Sequence, residues 1–107
     1  MTPPPEQLDN ADVLLWACSE SEPFGVIRYS TGDGIAHLVH GLAICRYSES
    51  GAIYRFSCDL DWEVVQDAPY QSTEQATAAA AQMFSTAIDW HPLQSPAAPA
   101  NDNSRNA

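Results

Sequence analysis

The sequence predicts an α+β fold: a small three-stranded antiparallel sheet with an Ala-rich C-terminal helix packed on one face, plus an N-terminal helix, in the order (α)βββα. Three observations carry this. Residues 52–63 alternate apolar and polar side chains with period two, the pattern of a strand with one buried and one wet face. Residues 35–47 form an apolar, β-branched run that precedes it across a short Ser-Glu-Ser-Gly loop, as in a hairpin. Further on, Ala76, Ala79, Ala80, Met83, Phe84, Ala87 and Ile88 recur at helical spacing behind Ser72 and Thr73, residue types that cap a helix start.

Each element has its local reason. Pro3, Pro4 and Pro5 favour extended backbone with few contacts, so residues 1–5 are expected to be a disordered tail. Over residues 6–18, Leu8, Ala11, Leu15 and Cys18 fit a helical stripe, while Val13-Leu14-Leu15-Trp16 also fits a buried strand. The helix is the preferred reading. Residues 24–30 make a shorter strand, followed by a Ser-Thr-Gly-Asp-Gly turn. Pro92 stops the closing helix. Residues 92–107 are Pro, Ala, Asn and Ser with a single Leu, a composition that cannot offset its own ordering entropy, so a second disordered tail is expected there. One folded domain should span residues 6–91.

The hairpin loop sets a register. With Tyr47 opposite Ala52, Cys45 faces Tyr54, Ala43 faces Phe56, Gly41 faces Cys58 and Val39 faces Leu60. Small residues then oppose large ones along one face, as a packed layer requires. The same register places Leu38, His40, Leu42, Ile44 and Ile53 on the opposite, outer face, with Asp59, Asp61 and Glu63 beside them.

Composition narrows the function. The chain has 107 residues and a formal charge of −10. Apolar residues are 45% of it, too many for a disordered acidic polymer. There is no apolar run of about 18 residues to cross a membrane. Four arginines and no lysine are too few to bind a phosphate backbone, so no direct nucleic-acid contact is expected. No secretory leader is visible, and Cys18, Cys45 and Cys58 read as free thiols, so a cytoplasmic setting is expected.

Candidate chemistry is sparse. His37, His40, Cys45, Cys58 and His91 match no zinc spacing, and His37 and His40 lie on opposite strand faces. Cys45 and Cys58 point into the apolar layer, where a thiol is inert. His40 opposite Asp59 reads as a cross-strand charge pair rather than half of an acid–base device. Asp59-x-Asp61-x-Glu63 lacks the glycine that wraps a loop around calcium. No cofactor, metal or catalytic set is therefore expected, and the chain reads as a non-enzyme. The outer strip of Leu38, His40, Leu42, Ile44 and Ile53 with Asp59, Asp61 and Glu63 reads instead as a partner-binding surface, apolar with a charged rim.

Small size, strong acidity, a hairpin followed by an Ala-rich helix, and the lack of a catalytic set resemble the small inhibitor proteins of bacteria and phages, such as immunity and anti-CRISPR proteins. The resemblance implies a protein that docks on a basic surface of a partner protein and blocks it. A non-catalytic structural or regulatory homodimer is the alternative.

Overall fold

The computed structural model describes residues 1–28, 36–84 and 86–93. Among these the chain is mostly strand: β1 (Gln7–Leu8), β2 (Ala11–Cys18), β3 (Gly25–Arg28), β4 (Ala36–Val39), β5 (Gly41–Arg46), β6 (Ile53–Cys58), β7 (Val64–Tyr70) and β8 (His91–Pro92), with one helix, α1 (Thr73–Met83). The main antiparallel sheet runs β1-β2-β5-β6-β7, with β8 added beside β2, and curls into a half-barrel. β3 and β4 form a separate two-stranded ribbon. The expected fold, three strands with flanking helices, is thus corrected to a larger, mostly β sheet bearing a single helix.

The N-terminal helix is replaced by a hairpin for a local reason. Asp9 and Asn10 sit at φ 48° and 68°, between the paired residues Leu8 and Ala11. A two-residue turn of this hand matches strand twist, and Asp and Asn tolerate the left-handed region better than most residues. Along β2 the register shifts between Val13 and Leu15. This bulge lets Val13-Leu14-Leu15-Trp16 serve both sheet faces, which imitates helical spacing in the sequence.

The β5–β6 ladder pairs residues as the hairpin loop dictates, from Arg46 opposite Ile53 to Gly41 opposite Cys58. It stops there. His40 donates its backbone N–H to the Cys58 carbonyl at 2.9 Å, although Gly41 is the residue opposite Cys58, so His40 is an extra, bulged residue. The expected pairs Val39–Leu60 and His40–Asp59 do not form. Beyond Cys58 the chain turns through residues 59–63 and returns as β7, an edge strand carrying Asp67 and Pro69, residues suited to an unpaired edge.

Both faces of the sheet are buried. On one, the thiol face, Ala43, Cys45, Phe56 and Cys58 have no exposed surface and pack with Leu8, Val13 and Trp62. The other is the helix face. α1 is capped by the Ser72 hydroxyl, which accepts the Gln75 N–H at 3.0 Å. Its buried Ala76 and Ala80 allow close approach to Ile44, Ile53 and Leu42. The helix therefore packs on the face expected to be wet. It also ends at Met83, well before Pro92, with Phe84 extended. The Phe84 ring lies against Gly25, where an added Cβ would come within 2.8 Å of it.

The helix face also buries a charge. Arg55 is 2% exposed. Its Nη1 donates to the Tyr70 hydroxyl at 3.1 Å and to Met83 Sδ at 3.2 Å, and its Nη2 donates to Gln66 Oε1 at 3.2 Å. The Tyr70 and Phe84 rings lie within 6.0 and 5.8 Å of the guanidinium carbon. Among the described residues, neutral acceptors and ring faces, rather than a carboxylate, surround this cation.

The terminal segments are also corrected where they are described. Trp62 Nε1 donates to the Thr2 carbonyl at 2.9 Å, Pro4 is buried and the Met1 side chain is 2% exposed. The N-terminal segment thus packs on the thiol face through Met1, while Thr2, Pro3 and Pro5 are exposed. At the other end, β8 pairs with β2, and the Leu93 N–H reaches the Leu14 carbonyl at 3.1 Å. The rest of the expected 92–107 tail, and the 30–34 turn, lie outside the described residues.

Candidate functional site

Residues 59–63 form a tight turn organised by one carboxylate. Asp59 Oδ1 accepts the backbone N–H groups of Asp61 at 2.8 Å and Glu63 at 2.9 Å. The Asp59 N–H donates to the Glu63 carbonyl at 3.0 Å, and the Trp62 N–H donates to the Asp59 carbonyl at 3.2 Å. An Asp side chain that bonds its own following backbone is a common turn device. Trp62 sits at φ 63°, a left-handed conformation that is strained for a bulky residue. Its surroundings hold it there. The ring covers Gly41, where an added Cβ would lie 2.6 Å from a ring carbon, and the indole N–H is tied to Thr2.

Fixing Trp62 inward leaves Leu60 and Asp61 at the tip. Leu60 is 48% exposed, and Leu38 on β4 is 49% exposed. Between tip and strand lies a groove of about 290 Å³, lined by Ala36, His37, Leu38, His40, Asp59, Leu60 and Asp61. A second groove of about 400 Å³ runs between Leu8 and Asp9 on one side and residues 61–64 on the other. Asp61 borders both, with Asp9 and Glu63 on the second. The turn is therefore an acidic ridge between two hollows. Val26, opposite Leu38 in the ribbon, is a further exposed apolar residue at 46%, so the apolar surface continues past the groove.

His40 stands at the base of the groove and is itself buried. Its Nδ1 lies 2.8 Å from the Ser19 carbonyl. A carbonyl only accepts, so Nδ1 carries the proton, and Nε2 is the remaining nitrogen.

Of the eight residues expected to bind a partner, the structure gathers Leu38, His40, Asp59 and Asp61 around the first groove and puts Glu63 at the second. It removes Leu42, Ile44 and Ile53, which lie beneath α1. Asp59 and His40 form no ion pair among the described residues, because each turns to a backbone group instead. Leu60, expected in the core opposite Val39, is the site residue that sequence reasoning misplaced. Alternation continues through residues 59–63 by coincidence, and the turn contains no glycine to betray it.

The thiols stay apart from this surface. Burial, with Asp12 and Asp9 adding to it, pushes the Cys45 thiol up to about 12. Burial also raises Cys58, aided by Cys45 and Asp59. Such thiols are neutral and poor nucleophiles near neutral pH. Among the described residues, no three His, Cys, Asp or Glu side chains are placed to hold a metal ion, and no helix is long and apolar enough to cross a membrane. No family model, curated protein or solved structure matches the chain.

Proposed function

We propose that the protein is a small acidic binding module that docks the 59–63 ridge on a basic surface of another protein and blocks it, as a cytoplasmic, non-catalytic inhibitor does. One observation carries this reading: Leu38 and Leu60, each about half exposed, share a groove with Asp61. An apolar centre with a charged rim is the usual anatomy of a protein contact. A net charge of −10 would speed encounter with a cationic patch.

The test is to capture a partner with the full-length protein, purify it and measure association rates at several salt concentrations. Asp61→Lys should slow association severalfold and flatten its salt dependence. Glu22→Lys, on the connection before β3, should do neither. Equal rates and equal salt slopes for Asp61→Lys and the wild type would sink the proposal.

The exposed Val26–Leu38 pair supports one alternative, a homodimer joined through the ribbon. In that case the free protein sediments as a dimer and Leu38→Asp splits it, while Asp61→Lys changes little.

A further inference from the structure

The groove has a strand edge as one wall. Phe24 donates its N–H to the Val39 carbonyl at 2.7 Å, so Val39 turns its peptide groups toward β3. Peptide groups alternate sides along a strand. Those of Leu38 therefore turn away from β3, toward the 59–61 turn. β4 pairs only with β3 among the described residues, and the main-sheet ladder that would have continued along this side ends at Gly41 and Cys58. Among the described residues, the bulge at His40 and the turn organised by Asp59 thus leave a strand edge unpaired, where a longer β6 would have closed it.

We infer that this edge receives an extended segment of the partner as an added strand, and that the segment alternates apolar with Lys or Arg residues. The inference rests on the docking role proposed for the 59–63 ridge and specifies how the partner is held. Backbone groups of the segment pair with those of Leu38, which supplies affinity without sequence demands. Side chains along a strand alternate between faces, so the added strand meets the groove with two sets of side chains. The apolar set covers Leu38 and Leu60, 49% and 48% exposed. The basic set is selected by the charge of Asp61 at the rim, together with that of Asp59 behind it. Asp59 spends one oxygen on two backbone N–H groups, which fixes its position without removing its charge.

The test uses isotope-labelled full-length protein and capped heptapeptides followed by NMR. The probe alternates lysine and valine. One control replaces every lysine by glutamate. Two further versions carry N-methyl groups on the backbone amides, either of all valines or of all lysines, which keeps charge and side chains but removes one edge's donors. The lysine–valine peptide should shift the amides of Leu38 and of residues 59–61, and Asp61→Lys should weaken that binding. The glutamate peptide should shift none of them. One methylated version should bind at least about tenfold more weakly, and the other about as well as the parent, because only one edge of the added strand faces β4. If both methylated versions match the parent, strand addition is wrong while acidic docking survives. If the lysine and glutamate peptides bind alike, or neither binds, the docking role falls with it. A free protein that sediments as a dimer through this edge would show that a second copy is the occupant, overturning the inference.

Discussion

The two faces of the sheet solve burial in different ways. On the thiol face, apolar side chains and two neutral thiols fill the space, and the cover comes from Trp62, Leu8 and Met1, with the Thr2 carbonyl on the Trp62 indole. On the helix face, a small-residue helix lies close to the strands, and a guanidinium and a hydroxyl are buried beneath it. Arg55 Nε and Ser57 Oγ find no hydrogen-bond partner among the described residues. The first face gains from area removed from water. The second gives back part of that gain to desolvated polar groups. The contrast separates side chains that stabilise the fold from side chains the fold merely accommodates.

The sharpest test is the ring at the centre of the thiol face. Phe56 has no exposed surface, so Phe56→Ala should cost about 3–5 kcal/mol in urea unfolding. A loss below about 1 kcal/mol would show that this face is not the main core.

Next comes alkaline pH, which singles out the same face. Folded Cys45 keeps its proton up to about 12, against an ordinary value of 9.0, and Cys58 is shifted in the same direction. Above pH 9.0 the unfolded chain sheds protons that the folded chain retains. Stability is therefore complete below that pH and falls as pH rises toward the folded values, by about 1.4 kcal/mol per thiol by pH 10. Replacing both thiols by alanine should remove this slope. An unchanged slope in the double variant would show that other groups cause it.

Removing residues 1–5 should lower Tm by more than about 5 °C, since it uncovers Trp62 and strips the indole of its acceptor. A truncated chain that melts with the full-length protein would mean that this cover contributes little.

The smallest effect is expected on the helix face. Arg55→Met keeps volume and removes the charge, and the half-exposed Gln66 and Tyr70 can turn to water. Stability should stay within about 1 kcal/mol of the wild type or rise. A cost approaching that of Phe56→Ala would show that the neutral acceptors and rings around Arg55 act as a full counterpart to its charge, and would erase the difference between the faces.

How much of this was legible in the residues depends on whether the deciding signal was local. The β5–β6 register follows from loop length and face complementarity, and it is correct at all six pairs. The Ser72 cap is likewise a local signal. Burial of the second face is not. Period two in β6 shows that two sets of side chains differ in polarity, but Arg55 and Ser57 read as a wet face because nothing within the strand announces a helix above them. β7 was hidden by Asp67 and Pro69, the residues that make it a safe edge. The residues around the candidate site were legible in part. Leu38, His40, Asp59 and Asp61 meet at one groove, though as parts of a bulge and a turn rather than as cross-strand partners. The N-terminal hairpin had a readable sign in Asp9-Asn10, overruled by a stripe that a bulge had produced.

The extra residue at His40 also sets the β3–β4 ribbon off from the main sheet, so the two should open separately. The ribbon of β3 and β4 is held to the body by Phe24, Ile27 and Val39 packed near Phe84 and Ala80, while its hydrogen-bond ladder is its own. Detaching it exposes that small cluster and leaves every β5–β6 bond in place. Amide hydrogens inside the ribbon should therefore exchange with solvent through a partial opening of low free energy, whereas those of Ala43, Cys45 and Phe56 wait for global unfolding. If this edge receives a partner strand as proposed, its place on the looser unit would let it adjust its angle to an incoming chain without drawing on the stability of the core.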